Sequence, residues 1–220
     1  MRRAWVFRCI LQSLRKRRGG SWRLFAYILA AICLLAPAEA RAQRVGDDGL
    51  WRTGAYSFSD ELGGFHITSV SGIGTRDDPI VVAQELLSAT PITLVIRTTR
   101  PIRPFESPLY YANGVLHLRV VVLNNSGQAW VEFEFELQEL LGKASVFGDG
   151  LSFDQRSSDK SNVSSDSFVE FSRDFEPYDR LLFRSGKIDP LKTAAFGFLI
   201  TDFTPKRQFY LVQDPRIPSS

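Results

Sequence analysis

Three carboxylates, Glu132, Glu134 and Glu136, stand at alternate positions, with Glu139 just beyond them. In an extended chain, alternate side chains share one face and lie about 7 Å apart. Such a stripe could receive a cation or a basic partner. The competing reading is a solvated outer face, partly neutralised by Arg119 and His117, and the residues favour it. Exposed pairs of that kind contribute roughly 0–1 kcal/mol. A second set, Asp149, Asp154, Asp159 and Asp166, clusters with Gly150 and Asn162. Calcium takes 6–8 oxygen ligands and tolerates flexible loops. The spacing fits no EF-hand loop, so calcium stands as the alternative to a polar, solvated loop. The third set is aromatic. Tyr110-Tyr111 follows Pro101, Pro104 and Pro108 and precedes Asn113-Gly114. Rings offer contact area with few torsions to freeze. Tyr110, Tyr111, Glu132, Glu134 and Glu136 are therefore the partner-binding candidates. For Trp51, Trp130 and Tyr178, core packing or edge covering competes with binding.

No catalytic set is recognisable. The chain has two histidines, His66 and His117, and both fall on the less apolar face of their segments, as surface side chains would. There is no Gly-x-Ser-x-Gly elbow. Ser71-Gly72-Ile73-Gly74-Thr75 matches neither glycine-rich phosphate motif and reads as a tight turn. Asn124-Asn125-Ser126 and Asn162-Val163-Ser164 fit the glycosylation pattern, which matters only in a eukaryotic secretory pathway.

The opening segment changes the charge arithmetic. Residues 24–36 are 13 consecutive apolar residues, preceded by Arg15-Lys16-Arg17-Arg18 and followed by Ala38-Glu39-Ala40 and Ala40-Arg41-Ala42. A basic stretch, an apolar run and a small-x-small exit predict a signal peptide over residues 1–42, cut after Ala42 or Ala40. As a helix the run spans roughly 20 Å, against a hydrocarbon core of ~30 Å, so no permanent membrane span is expected after processing. Cys9 and Cys33 leave with the leader, as do nine of the 27 basic residues. What remains is cysteine-free, with 18 basic and 23 acidic residues. That composition excludes a basic nucleic-acid binder, a disulfide scaffold and a thiol nucleophile. The expected location is the periplasm or the cell exterior.

Residues 43–220 predict one all-β domain, a two-layer antiparallel sandwich with a barrel as the alternative. Eleven short alternating or apolar runs, split by Gly, Pro and polar turns, support this: 54–58, 65–70, 80–85, 92–98, 116–123, 128–138, 146–153, 168–171, 180–183, 194–203 and 208–213. Residues 156–167 read as a flexible polar loop and 214–220 as a tail. The runs 116–123 and 128–138 invite pairing as a hairpin across Asn124-Asn125-Ser126-Gly127. Val120 would then meet Val131, Leu118 would meet Phe133, and Arg119 and His117 would face Glu132 and Glu134. That register buries Val131, Phe133, Phe135 and Leu137. Ala194-Ala195-Phe196-Gly197-Phe198-Leu199-Ile200, apolar on both faces, reads as a central strand.

The stretch from Phe58-Ser59-Asp60-Glu61-Leu62-Gly63-Gly64-Phe65, through Ser71-Gly72-Ile73-Gly74-Thr75, to Asp78-Pro79-Ile80-Val81-Val82 resembles exported alphaproteobacterial proteins of unknown function. The resemblance covers about thirty residues and implies a bacterial envelope setting; no functional residue is carried over. The function expected is a non-enzymatic binding or assembly module of the envelope, its partner an envelope protein or a glycan. Two alternatives stand beside it, a carboxylate-based glycan hydrolase and a calcium-stabilised adhesion module. Apart from that calcium, no cofactor is implied.

Overall fold

The structure, a computed structural model, describes residues 48–154, 160–174 and 178–218. The expected leader over residues 1–42 lies outside them, as do Asp159 and the rest of 155–159. Among the described residues thirteen strands follow in chain order: β1 Trp51–Thr53, β2 Tyr56–Ser59, β3 Phe65–Ser71, β4 Ile80–Leu86, β5 Ile92–Thr98, β6 Val115–Asn124, β7 Glu132–Gln138, β8 Leu151–Phe153, β9 Ser164–Ser165, β10 Phe168–Asp174, β11 Arg180–Gly186, β12 Thr193–Asp202 and β13 Gln208–Arg216. They form a seven-stranded sheet, ordered β1-β2-β5-β13-β7-β11-β10, and a six-stranded sheet, ordered β3-β4-β6-β12-β8 with β9 alongside β12. The fold is all-β and sandwich-like, and neither sheet closes into a barrel. No helix among the described residues is long and apolar enough to cross a membrane.

Period-two alternation sets the inner faces. In β6 the residues Leu116, Leu118, Val120 and Val122 are buried, and in β7 Phe133, Phe135 and Leu137 are. The two sheets meet through rings. Phe133 and Phe135 of β7 lie 4.7 and 5.1 Å from Phe196 of β12, and Phe135 lies 4.9 Å from Phe198. Ring pairs of this kind add roughly 0.5–1.5 kcal/mol beyond their buried area. One polar pair crosses the same layer. The Gln84 amide donates to Gln213 Oε1 at 2.5 Å, and Gln213 returns a bond of 3.2 Å, so neither buried amide is left unpaired.

The expected hairpin is not formed. β6 pairs with β12 and, in parallel, with β4, whereas β7 pairs with β13 and β11 in the other sheet. The inward positions stand for Phe133, Phe135 and Leu137, but the partners change and Val131 is only half-buried. The cause is Asn124. Its side chain is buried and its amide donates to the carbonyls of Gln128 and Ile188, while its Oδ1 accepts from Ser126 N–H. Those bonds turn the chain through the layer between the sheets instead of back along one sheet. Trp130 completes the corner: it is fully buried, exchanges two backbone bonds with Ile188 and donates its indole N–H to Ser126 Oγ.

Three further expectations are revised. The six-stranded sheet is mixed, because β5 lies in the opposite sheet and returns the chain so that β6 runs parallel to β4. The expected tail begins as strand: Asp214, Pro215 and Arg216 of β13 pair with Glu134, Phe133 and Glu132. Within the expected loop over 156–167, the described part is ordered: a 3-10 turn spans Lys160–Asn162, Val163 is buried, and Ser164–Ser165 pair with Phe196 and Gly197.

Candidate functional site

The acidic stripe is an ion-pair ladder. Strand register places Arg216 opposite Glu132 and Arg180 opposite Glu136. Arg216 donates to Glu134 Oε2 at 2.7 Å and lies 3.5 Å from Glu132 and from Asp214. Arg180 donates to Glu136 at 2.6 Å, lies 3.8 Å from Glu134 and stacks over the Tyr178 ring at 5.0 Å. Burial pushes the Glu134 carboxyl up, and the two guanidinium groups oppose that shift. Arg119 and His117, the partners expected from the sequence, are in the other sheet. The stripe's counter-charge thus comes from strands far away in sequence.

The described acids considered for calcium each take hydrogen bonds from neighbouring groups. Asp149 accepts from Ser145 Oγ and from the backbone N–H of Val146 and Leu151. Asp154 accepts from Asn162 Nδ2 at 2.6 Å, and Asp166 accepts from Ala195 N–H at 2.9 Å. Asp159 lies outside the described residues. Among the described residues no group of three or more His, Cys, Asp or Glu side chains is placed to hold a metal ion. The glycine-rich turn is also filled from within: the N–H groups of Ile73, Gly74 and Thr75 all point at the Asp78 carbonyl. Gly72 is required there, since its φ is +87° and a Cβ would stand 2.0 Å from the Pro79 carbonyl oxygen. Of the two glycosylation patterns, Asn124 is buried at the corner and Asn162 is bonded to Asp154 and Arg76.

Tyr110 and Tyr111 lie where β5 ends. That edge of the seven-stranded sheet also carries the end of β7 and the start of β13, so three loops leave it together: 99–114, 139–146 and 203–207. Phe105, Leu109, Tyr110, Leu140 and Leu141 are exposed there, Tyr110 at 67%. Arg103 sits over the Tyr111 ring at 4.9 Å, and the Phe105 and Phe203 rings are 6.1 Å apart. These loops carry Arg100, Arg103, Lys143, Lys206 and Arg207 against Glu106 and Glu139, and Lys206 pairs with Glu139. A cavity of about 500 Å³ opens between Thr98, Arg100, Ile102 and Arg207.

A second cationic region lies on the outer face of the six-stranded sheet. Arg119 of β6, Gly197 of β12 and Ser164 of β9 stand side by side in register and so on one face. Gly197 has no side chain to fill the middle; a Cβ there would stand 2.7 Å from Ser164 Oγ. The result is a cleft of about 230 Å³ between Arg76, His117, Arg119 and Asn162. Arg76 donates to Asn162 Oδ1 at 2.7 Å, and Asn162 is anchored in turn on Asp154. His117 is half-buried, which with the nearby Arg76 charge holds its pKa below the ordinary value. Neither Arg76 nor Arg119 forms an ion pair among the described residues. Sequence reasoning took His117 as a surface residue and passed over Arg76 and Gly197. The one available signal was a glycine in the middle of an apolar strand, which marks close backbone approach or an open space.

Asp179 is a further residue without a sequence signal. It is buried and accepts from Ser152 Oγ at 2.6 Å, and its Oδ2 has no hydrogen-bond partner among the described residues. Burial first, with the neighbouring Asp149 charge adding to it, pushes its carboxyl up to about 6; Ser152 and Arg173 oppose the shift.

Compared with protein-family models, with curated proteins and with solved structures, the chain matches none. The class is that of an all-β, two-sheet domain, and its function is argued from its own surfaces.

Proposed function

We propose that the protein is an exported, non-enzymatic binding module of the bacterial envelope, a two-layer β-sandwich that docks through one loop end onto an anionic membrane surface. The leader expected over residues 1–42 would deliver it to the periplasm or beyond. One observation carries the reading: the three loops at the end of β5 and β7 and the start of β13 combine exposed Phe105, Leu109, Tyr110, Leu140 and Leu141 with five cations and two carboxylates. The rest of the mature chain is acidic, so this end stands out in sign as well as in polarity. Apolar side chains that enter an interface, ringed by Arg and Lys that meet anionic headgroups, suit a peripheral contact with such a membrane. A glycan hydrolase would need two acids opposed across a cleft, whereas the ladder holds Glu132, Glu134 and Glu136 on one strand with guanidinium groups between them.

Flotation of the purified protein with vesicles tests this. It should rise with vesicles containing phosphatidylglycerol and not with pure phosphatidylcholine, and binding should weaken as salt rises. The pair Leu140→Ser and Leu141→Ser, both exposed and so foldable, should lower recovery, as should Arg100→Ser with Arg207→Ser. Recovery indifferent to the anionic lipid, or unchanged in both variants, overturns the proposal.

A further inference from the structure

We propose that the cleft over Gly197 is a binding site for an anionic sugar, a polyol ring bearing a carboxylate or a phosphate. The site does not depend on the loop-end docking described above, because it is built on the outer face of the other sheet. Its charge sets the first part of the ligand. Arg76 and Arg119 present two guanidinium groups with no ion-pair partner among the described residues, in a domain otherwise rich in acids. Guanidinium groups pair with planar or tetrahedral oxyanions through two parallel N–H donors. Arg76 is pre-oriented, since Asn162 accepts from it and is itself held by buried Asp154. A guanidinium held in place loses less side-chain entropy on binding.

The lining sets the second part. Burial first, then the Arg76 charge, holds the His117 pKa down against Asp154, and the neutral ring this favours offers one donor and one acceptor. Ser164 lies across Gly197 from Arg119. Hydroxyl and imidazole groups lining the same cleft as two arginines match ring hydroxyls next to an acid group. Size sets the third part. About 230 Å³ is below the ~300–1,000 Å³ of sites for drug-sized ligands, so one sugar unit fits rather than a long chain. Gly197 is what makes the space: any side chain there would run into Ser164.

The test is amide chemical-shift titration of the purified protein with glucuronic acid, glucose 6-phosphate, glucose and inorganic phosphate. One or both of the acidic sugars should shift the amides of Gly197, Ser164 and His117 saturably, and which of the two binds tighter identifies the acid group. Glucose should bind at least about tenfold more weakly, the loss expected for one missing charge-assisted contact. Arg119→Ala, at an exposed and unpaired position, should fold normally and weaken the acidic sugar by about tenfold or more. Gly197→Ala should block the site, and Arg76→Ala serves as the second binding variant should Gly197→Ala disturb β9. The proposal is overturned by equal affinity for glucose and both acidic sugars, by inorganic phosphate binding as tightly as either acidic sugar, or by shifts that survive Arg119→Ala and Arg76→Ala unchanged.

Discussion

The outer faces of the two sheets carry charge in opposite ways. On the seven-stranded sheet, Glu132, Glu134 and Glu136 meet Arg216 and Arg180, so acids and bases close on one another. On the six-stranded sheet, Arg76 and Arg119 flank a strand position with no side chain, and no described carboxylate answers them. The acidic stripe is the more conspicuous feature in the sequence, yet its charges are already spent. Arg76 and Arg119 are ordinary in the sequence and are left available by the fold. Charge density is therefore a poor guide to a site; charge without a built-in partner is a better one.

The largest expected effect tests whether the two faces stand on one core. Phe135, beneath the ladder, contacts Phe196 and Phe198, whose strand carries the cleft on its other side. Phe135→Ala should cost about 4 kcal/mol in urea denaturation, by lost transfer energy and an unfilled cavity. The amides of both faces should lose protection together; separate loss would mean that the sheets are not one cooperative unit.

Asp179 sharpens the contrast among the acids, since its Oδ2 has no side-chain hydrogen-bond partner among the described residues. Its carboxyl titrates near 6 in the folded protein, against 3.8 ordinarily. The folded state therefore binds the proton more tightly, and this group's contribution to stability declines as pH rises from about 4 to about 6. Asp179→Asn should remove that decline and raise stability at pH 7.5 by about 2–3 kcal/mol. Thermal melts of both forms from pH 4 to 7.5 check it, and a wild-type curve parallel to that of the variant would contradict it.

Opening the ladder should have a smaller effect. Arg216→Ala leaves Glu134 half-buried without its nearest cation, at a cost of about 1–2 kcal/mol at neutral pH. Adding Glu134→Gln should recover part of the loss, and a double-mutant cycle measures how much. The smallest effect belongs to the open face. Arg119→Ala should change stability by less than about 0.5 kcal/mol in the same denaturation assay, because the side chain is exposed and unpaired. A loss as large as that of Arg216→Ala would show that the face is not open.

Strand identity and inner face were legible because both are local. Alternation alone marks Phe133, Phe135 and Leu137 as inward, and the run 92–98 coincides with β5. Pairing was not legible, because alternation has the same period in every strand. Val120 and Arg119 face any partner that offers apolar and acidic residues in step, and β7 offers them in sequence while β12 and β4 take the places in space. Short strands such as β1 and β9 were missed because two or three residues cannot display a period. The cleft was missed for a related reason: Arg76, the β6 pair His117 and Arg119, Ser164 and Gly197 come from four separate segments, and nothing in any one of them signals the others.

The amino-acid sequence by itself determined that the body of the chain is built of strands, which side chains those strands turn inward, and that acids outnumber bases over residues 43–220. These follow from the two-residue period of extended backbone and from counting. The tertiary structure alone decided which charges are cancelled and which stay open. That depends on which strands become neighbours, and here one buried asparagine at a corner sends β6 and β7 into different sheets.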